Sequence, residues 1–394
     1  MDKTDTSEVS QTLLNRSFLI SGSANRLTDE SLIRYAHELI GDLAVDLLSH
    51  GGRLVVGAGK EPKQSDDADA PALLFDWTVL ESAAVHLDVH GAPAQIAGRP
   101  ITCVMSEKGE TEIPVDRAGL WESLRRNGFL EVHYIRPGAR SGAMIRDRQA
   151  GLSDVLLVLG GGSGVEHLAD EFTSRRLPVI AFDLNLGASR DDGTGGGFRI
   201  ARMTKANPSE YFGLRPEHQG SAGSLYSLLS TTGGPRPANV LAGATIDLLE
   251  KLEKPMVFYT RLMNQRIEAF PRVEDFFRKV VDPLVEAGGY RRHEVGLDRL
   301  EQPFTNLAIF ENLHYASVVV ADLTAERNNC YIELGYALGR PIKVLMTAEE
   351  GTNIPFDPNA IPCHFWNMQN ETATEIERLR VFWRTNFDRP PLVS

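Results

Sequence analysis

Residues 316–341 read ASVVVADLTAERNNCYIELGYALGRP, and this stretch indicates the fold and the chemistry of the chain most clearly. Residues 317–320 form a short, mostly β-branched apolar run, which predicts a buried parallel strand that ends near Asp322. After a polar break, apolar residues at helical spacing predict a helix over 330–338, and a glycine and a proline follow as its stop. Glu333 falls in the first turns of that helix. A buried strand followed by a helix predicts an α/β fold with a mainly parallel sheet.

Asp322 and Glu333 are candidates for one functional site. In open α/β sheets, ligands bind beyond the carboxyl ends of the strands, so both side chains would flank one crevice. A pair of carboxylates can break a glycosidic bond, one as nucleophile or cation stabiliser and the other as an orienting or proton-handling group. The same residues also have a structural interpretation, because aspartates often cap turns and a glutamate in a first turn complements the helix dipole. Spacing alone leaves both interpretations open.

The motif resembles that of a known superfamily. ADLT at 321–324, followed by YIELGYALGRP at 331–341, resembles the signature of the nucleoside 2-deoxyribosyltransferase-like and TIR-like proteins. The resemblance covers about residues 254–366 and implies that Glu333 acts on the anomeric carbon of an N-riboside. It also implies that Asp322 positions the sugar or the base. The predicted catalytic residues are Glu333, Asp322, Asn329 and Arg261.

The bulk composition limits the classes of protein that remain. A length of 394 residues predicts two domains. The 41 basic and 53 acidic residues give a net charge of −12, which argues against general nucleic-acid binding because phosphate neutralisation needs a basic face. Cys103, Cys330 and Cys363 are too widely spaced to indicate a disulfide framework, and we predict no metal site. The N-terminus has no apolar leader and no run approaches ~18 apolar residues, so we expect a cytoplasmic protein with no membrane partner.

A second informative stretch, residues 154–183, lies in the N-terminal half. A buried strand, DVLLVL, leads directly into GGGSG at 160–164, after which helical spacing resumes and another strand follows. A glycine turn between a strand and a helix can present backbone N–H groups to a phosphate. It can equally be a plain strand-to-helix connection. The first strand of this half, at 17–21, also ends in a small-residue turn, which contains Gly22 and Ser23.

Residues 16–198 resemble the SLOG superfamily, which includes LOG phosphoribohydrolases and nucleotide-sensing domains of bacterial immune effectors. The resemblance is carried by FLISGSAN, SHGGRLVVGAG, DVLLVLGGGSGVEHLADEF and LPVIAFD. LOG enzymes carry PGG-x-GT-x-x-E, and here Gly160 stands for the proline, Val165 for the threonine and Leu168 for the glutamate. The resemblance therefore implies a nucleotide-binding sensor that keeps the phosphate-binding turn and lacks the hydrolytic carboxylate.

The predicted nucleotide-binding residues lie in the glycine-rich turn and among the arginines that precede the strand at 154–159. Arg140, Arg146 and Arg148 are candidate phosphate or ribose contacts, and a solvated basic face is the other interpretation. The predicted set is Gly22, Ser23, Gly161, Gly162, Ser163, Gly164 and Arg148.

Together these patterns predict two Rossmann-like, doubly wound α/β domains with mainly parallel sheets. The predicted divisions are a flexible N-terminus at 1–15, a SLOG-like nucleotide-binding domain at 16–203, a Gly/Ser/Pro-rich linker with one helix at 204–253, and a catalytic domain at 254–394. Near the end of the last domain, Trp366 could stack on a base, although a buried core position is the more usual role of a tryptophan.

The combined resemblances imply an N-glycosidase gated by a nucleotide signal, with NAD as the favoured substrate, in bacterial anti-phage defence. No cofactor would be required: NAD would be the substrate, a nucleotide activator would bind the SLOG-like domain, and the protein would form a homo-oligomer on ligand binding. Two alternatives stay open. One is a constitutive nucleoside or nucleotide N-glycosidase or 2-deoxyribosyltransferase, and the other is a non-catalytic nucleotide-binding module.

Overall fold

The chain folds into two compact units, Met1–Glu253 and Lys254–Ser394. The computed structural model describes residues 12–67, 69–92, 98–187, 196–230, 236–294, 305–325, 327–340, 342–354 and 361–386. Most of the predicted flexible N-terminus lies outside these residues. Each unit contains one parallel sheet flanked by helices, so the predicted α/β class with two mainly parallel, Rossmann-like sheets is confirmed.

The sheet of the first unit has six strands in the order β4-β3-β2-β1-β5-β6, and every pair is parallel. Its strands are β1 (Ser17–Ser23), β2 (Arg53–Val56), β3 (Ile101–Ser106), β4 (Leu130–Ile135), β5 (Val155–Gly160) and β6 (Val179–Ala181). The strand β5 and the first four residues of β1 are buried because helices cover both faces of the sheet, as is usual for parallel sheets.

Helices cover both faces of this sheet. They are α1 (Glu30–Ser49), α2 (Asp76–His90), α3 (Glu107–Thr111), α4 (Val115–Arg126), α5 (Ser141–Gly151), α6 (Ser163–Ser174), α7 (Gly196–Ala206), α8 (Pro208–Tyr211), α9 (Ala222–Leu229) and α10 (Ala238–Lys251), with a 3-10 turn at Pro216–Ser221. The helix α1 begins where the Asp29 carboxylate accepts a hydrogen bond from the backbone N–H of Ser31, which caps its first turn.

The stretch 204–253, predicted as a linker with one helix, is largely helical and belongs to the first unit. The apolar face of α10, which includes Leu241 and Leu248, is buried in the same core as the apolar face of α1. Arg16, just before β1, donates from Nη1 to the carbonyl oxygen of Leu249 at 3.1 Å. The beginning and the end of this unit therefore pack against each other.

The sheet of the second unit has five strands in the order β11-β10-β9-β7-β8, again all parallel. Its strands are β7 (Met256–Thr260), β8 (Arg291–Glu294), β9 (Val318–Asp322), β10 (Lys343–Glu349) and β11 (Cys363–Trp366). Read from β7, this is the 2-1-3-4-5 order of flavodoxin-like folds. Its helices are α11 (Phe270–Phe276), α12 (Asp282–Ala287), α13 (Thr305–His314), α14 (Asn328–Leu338) and α15 (Thr372–Asn386), and a π-helical segment, Phe277–Val281, joins α11 to α12.

The stretch that carries the motif forms the predicted strand and helix. The strand β9 is fully buried and ends at Asp322, as expected. The helix α14 begins at Asn328, two residues before the predicted start. Arg327, with an extended backbone, precedes it as the N-cap. It ends at Leu338, and the following residue, Gly339, is the predicted stop.

Candidate active site and nucleotide-binding site

The strand order of the second unit reverses direction between β7 and β9, and an open α/β sheet has a crevice at such a point. The strands β7 and β9 are neighbours, and the chain leaves them towards opposite edges of the sheet. Ligands of open α/β sheets bind outside the carboxyl ends of the strands at such a point. Here the two strands end at Thr260 and Asp322, and α14 packs beside both.

Glu333 lies in the second turn of α14 and is half-buried. Burial raises the pKa of its carboxyl group, and the nearby Thr260 hydroxyl lowers that pKa in part. A partly desolvated carboxylate with access to a crevice interacts strongly with positive charge, because little water screens it. Glu333 is therefore suited to stabilise a developing cation.

Asp322 has a different environment. It is completely buried, and one carboxylate oxygen accepts hydrogen bonds from Thr347 Oγ1 and Trp366 Nε1, both at 2.8 Å. The other oxygen accepts from the backbone N–H of Thr324 at 3.1 Å. Burial raises the pKa of Asp322 and these hydrogen bonds lower it. Asp322 thus joins the ends of β9, β10 and β11, and in this arrangement it holds the crevice wall in place.

The two other predicted catalytic residues are placed differently from each other. Asn329 is exposed one helical turn before Glu333, so both project from one face of α14. Arg261 has a side chain that is only 3% exposed, and its Nη1 lies 2.6 Å from Glu274 Oε2 on α11. Its guanidinium also lies 4.9 Å from the ring centre of Phe277 in the π-helical segment. The structure therefore groups Asn329 with Glu333 and turns Arg261 towards α11.

Trp366 lies in the core. It is completely buried and stacks on Phe276, with ring centres 4.6 Å apart and planes at 9°. The interpretation of this residue as a core tryptophan is confirmed.

The first unit has its own reversal point, between β1 and β5. The end of β1 pairs with the end of β5, with Gly22 opposite Leu159 and Ser23 opposite Gly160. The glycine-rich turn follows, and α6 begins at Ser163. The predicted turn is thus located where nucleotides bind in Rossmann-like sheets.

Several of these glycines are needed by the protein's own backbone. A Cβ atom at Gly22 would lie 1.8 Å from the carbonyl oxygen of Leu159, and one at Gly160 would lie 2.4 Å from that of Ser23. A Cβ atom at Gly196, at the start of α7, would lie 1.7 Å from the carbonyl oxygen of Gly161. The glycines at these positions therefore allow close packing of β1, the turn and α7, whatever they do for a ligand.

Replacing Gly196 by alanine is expected to destabilise the first unit by about 2–4 kcal/mol, because φ is +61° and the backbone of Gly161 blocks the new methyl group. Urea denaturation followed by circular dichroism would measure this change. The matched control is Gly243→Ala in α10, where no atom lies within 4 Å of the new Cβ, and there a gain of about 0.5–1 kcal/mol is expected. Equal effects of the two substitutions would contradict this explanation.

Arginines and carboxylates around the turn are arranged as follows. Arg146 Nη1 lies 3.7 Å from the position of a Cβ atom on Gly164, so this arginine is close to the start of α6. Arg148 instead lies 3.2 Å from His133 Nδ1, measured from its Nη2, and so contacts β4. Glu166 accepts a hydrogen bond from the backbone N–H of Gly196 at 3.0 Å, and Leu168 is buried in the core. Arg146 is therefore placed beside the turn, whereas Arg148 is directed towards β4.

Two polar residues near the carboxyl ends of strands were missed by sequence reasoning, Thr260 at the end of β7 and Asp76 beside the turn after β2. Asp76 begins α2 and packs against the turn after β2, where a Cβ atom on Gly57 would lie 3.4 Å from both carboxylate oxygens. Burial raises the pKa of Asp76 to about 6, opposed by a hydrogen bond from the backbone of Gly57. Its position in the first turn of α2 is apparent only in the structure, because sequence alone does not show which strand end it faces.

Because the ordinary pKa of Asp76 is 3.8, the folded state binds its proton more tightly than the unfolded state does. The penalty for ionising it is fully present above about pH 6 and disappears as the pH falls towards 4. Asp76→Asn is therefore expected to raise the free energy of unfolding by about 1–2 kcal/mol at pH 8 and to give no gain at pH 4. Denaturation curves at several pH values would test this, with the exposed Glu38→Gln as control. A gain of the same size at both pH values would contradict it.

The described residues contain no cluster of three or more histidine, cysteine, aspartate or glutamate side chains that could hold a metal ion. Among the helices that the structure describes, none is both long enough and apolar enough to cross a bilayer.

Comparison with known proteins identifies the first unit. Residues 13–221 match the family described as "ATP nucleosidase Cap17-like, N-terminal", and this match covers more than half of the chain. The chain belongs to this family. The Cap17-like region lies within the first unit, so Glu333 and the crevice of the second unit are outside it.

Two curated relatives share this region. Both are called ATP nucleosidase Cap17, one from Escherichia coli strain KTE188 and one from Escherichia coli, and each is 29% identical over 181 residues. The alignment covers 46% of this chain and 34% of each relative, so the chain spans about a third of the length of these Cap17 proteins. A solved molybdenum cofactor carrier protein from Chlamydomonas reinhardtii aligns with 60% of this chain and 99% of its own, at 16% identity and a TM-score of 0.29, which is too low for any inference.

Proposed function

We propose that this protein is an N-glycosidase that acts on a nucleotide, with Glu333 as its catalytic carboxylate. The observation that carries the proposal is the position of Glu333, half-buried beside the reversal point of the sheet, with a pKa raised by burial. The family membership of the first unit supports the same class of reaction, because its relatives are named as ATP nucleosidases.

The proposed reaction breaks the bond between C1′ of the ribose and the base nitrogen. The electron pair of that bond leaves with the base, and the ribose passes through an oxocarbenium-like state. The ionised Glu333 stabilises this cation or forms a transient ribosyl ester, and water then supplies the oxygen that ends on C1′. Asp322 contributes by fixing the crevice wall, and Asn329 is placed to contact the sugar.

The chemistry of the leaving group favours NAD as the substrate. The nicotinamide nitrogen of NAD carries a positive charge in the bond, so nicotinamide leaves as a neutral molecule without a proton donor. Adenine leaves ATP readily only if an acid protonates it. The other predicted carboxylate, Asp322, is completely buried, and both of its oxygens accept hydrogen bonds. Of the predicted pair, only Glu333 is therefore placed to act on the substrate, and it would have to serve as both cation stabiliser and acid. ATP remains the second candidate because of the name that the relatives carry.

The first unit is proposed to be the nucleotide sensor. In support, the glycine-rich turn lies at a reversal point of the sheet, and the position of the LOG glutamate is taken by the buried Leu168. Binding of a nucleotide signal there would gate cleavage by the second unit and would drive homo-oligomer formation in the cytoplasm. Depletion of NAD or ATP on such a signal would serve anti-phage defence.

The test is base release by the purified full chain from NAD, ATP and nucleosides, each with and without a panel of cyclic nucleotides and ADP-ribose. Nicotinamide release that requires an activator supports the gated NADase. Adenine release from ATP would show that ATP, the second candidate, is the substrate instead of NAD. Release without any activator supports a constitutive N-glycosidase or 2-deoxyribosyltransferase, and no release under any condition leaves a non-catalytic binding module.

A further inference from the structure

Thr260, the last residue of β7, has an unusual hydroxyl group. The residue is 1% exposed, and its Oγ1 is buried without a hydrogen-bond partner of regular geometry among the described residues. Other buried threonines meet this need locally: Thr245 donates to the carbonyl of Leu241 at 2.8 Å, and Thr204 donates to that of Ile200 at 2.9 Å. A buried hydroxyl without a partner lowers stability, so its retention at the crevice calls for a reason.

The neighbours of the Thr260 hydroxyl are on α14. The hydroxyl is close enough to Glu333 and to Cys330 to lower the pKa of both groups. Of these, burial raises the pKa of the Cys330 thiol to about 11, so at neutral pH it is an uncharged and weak acceptor. A carboxylate accepts hydrogen bonds much more strongly. Glu333 is therefore the better partner for the hydroxyl proton of Thr260.

We propose that Thr260 is the positioning residue of the active site, and that its hydroxyl donates to the Glu333 carboxylate. This inference rests on the proposed role of Glu333. The hydrogen bond would fix one rotamer of Glu333 and would keep it ionised against the effect of burial. Other titratable groups around the crevice are Cys330 on α14, Arg327 just before α14, and Asp322 on β9. One turn further along α14, the Tyr336 hydroxyl lies 3.1 Å from His314 Nδ1 of α13.

The test compares Thr260→Val, which keeps the shape and removes the hydroxyl, with Thr260→Ser, which keeps the hydroxyl. The pKa of Glu333 is read directly in the full chain, from the carboxyl signals of 13C-labelled glutamate, with Glu333→Gln to assign the signal. We expect Thr260→Val to raise this pKa, because a group that lowers it is removed, and Thr260→Ser to restore it. Thr245→Val is the control for loss of a buried threonine hydroxyl elsewhere.

Kinetics provide the second readout. If ionised Glu333 is required, base release rises with pH through its pKa, so Thr260→Val moves the acidic limb of the pH profile upwards. We expect a fall of about 10-fold in kcat with KM changed less than 2-fold, and recovery in Thr260→Ser. An unchanged Glu333 pKa and pH profile in Thr260→Val would overturn the positioning role. A shifted pKa in a protein that releases no base would instead overturn the proposed function and leave the contact between Thr260 and Glu333 standing.

Discussion

Replacing Glu333 by glutamine is expected to reduce base release by about 100- to 1,000-fold or more, with the fold intact. Glutamine has the same shape but carries no negative charge, so it neither stabilises the ribosyl cation nor forms an ester. Because Glu333 is half-buried and its burial penalises the charged form, the neutral variant should be at least as stable as the wild type. Base release, measured by chromatography of the products with and without the nucleotide panel, gives the rate.

A suitable control for this variant is Glu377→Gln, which changes an exposed glutamate on α15 that pairs with Arg380. It should change neither the rate nor the stability by a measurable amount, since surface ion pairs contribute about 0–1 kcal/mol. If Glu333→Gln retained most of the wild-type activity, the active site would have to be placed elsewhere, and the first unit would be the next region to examine.

Replacing Asp322 by alanine is expected to lower the free energy of unfolding of the second unit by about 3–5 kcal/mol, which is a large part of the stability of a domain. The substitution leaves the Thr347 hydroxyl, the Trp366 indole and the Thr324 N–H without their acceptor in a fully buried position. Chemical denaturation followed by tryptophan fluorescence would measure the loss, since Trp366 is one of the donors.

Asp322→Asn distinguishes a structural role of Asp322, holding the crevice wall, from direct contact with the sugar or the base. Its amide oxygen can still accept from Thr347 and Trp366, while its NH2 group opposes the Thr324 N–H, so we expect a smaller loss of about 1–2 kcal/mol. If Asp322 acts only by holding the crevice wall, activity should fall in proportion to the loss of stability in both variants. A large loss of activity in a stable Asp322→Asn protein would show instead that the carboxylate contacts the sugar or the base.

Sequence reasoning located the elements and missed the partners of their polar groups. The strand β9 and the helix α14 were predictable because an apolar run, a polar break and a glycine stop are local signals. The environment of Asp322 was not predictable, because its acceptor role depends on Thr347 and Trp366, which lie 25 and 44 residues further along the chain. Thr260 was missed for the same reason, since only the register of β7 beside β9 brings it to α14.

The first unit shows the same division between local and distant information. The glycine-rich turn and the strands around it were predicted from local sequence, and the structure has them. The need for Gly160 and Gly196 was hidden, because it arises from backbone contacts with Ser23 and Gly161, respectively. The choice among the arginines also depended on the orientation of α5, which places Arg146 at the turn and Arg148 against His133.

The contact between the beginning and the end of the first unit bears on how such chains evolve. Thr12 donates to the carboxylate of Glu250, and Arg16 donates to the carbonyl of Leu249, so the first described residues of this unit lie beside its last helix. A unit with adjacent ends can be joined to a different partner by recombination without breaking its own core. The match to the Cap17-like family ends at residue 221, and the alignment covers a third of each relative, so Glu333 lies outside the shared region. Exchange of the attached unit would leave the Cap17-like unit and its core intact.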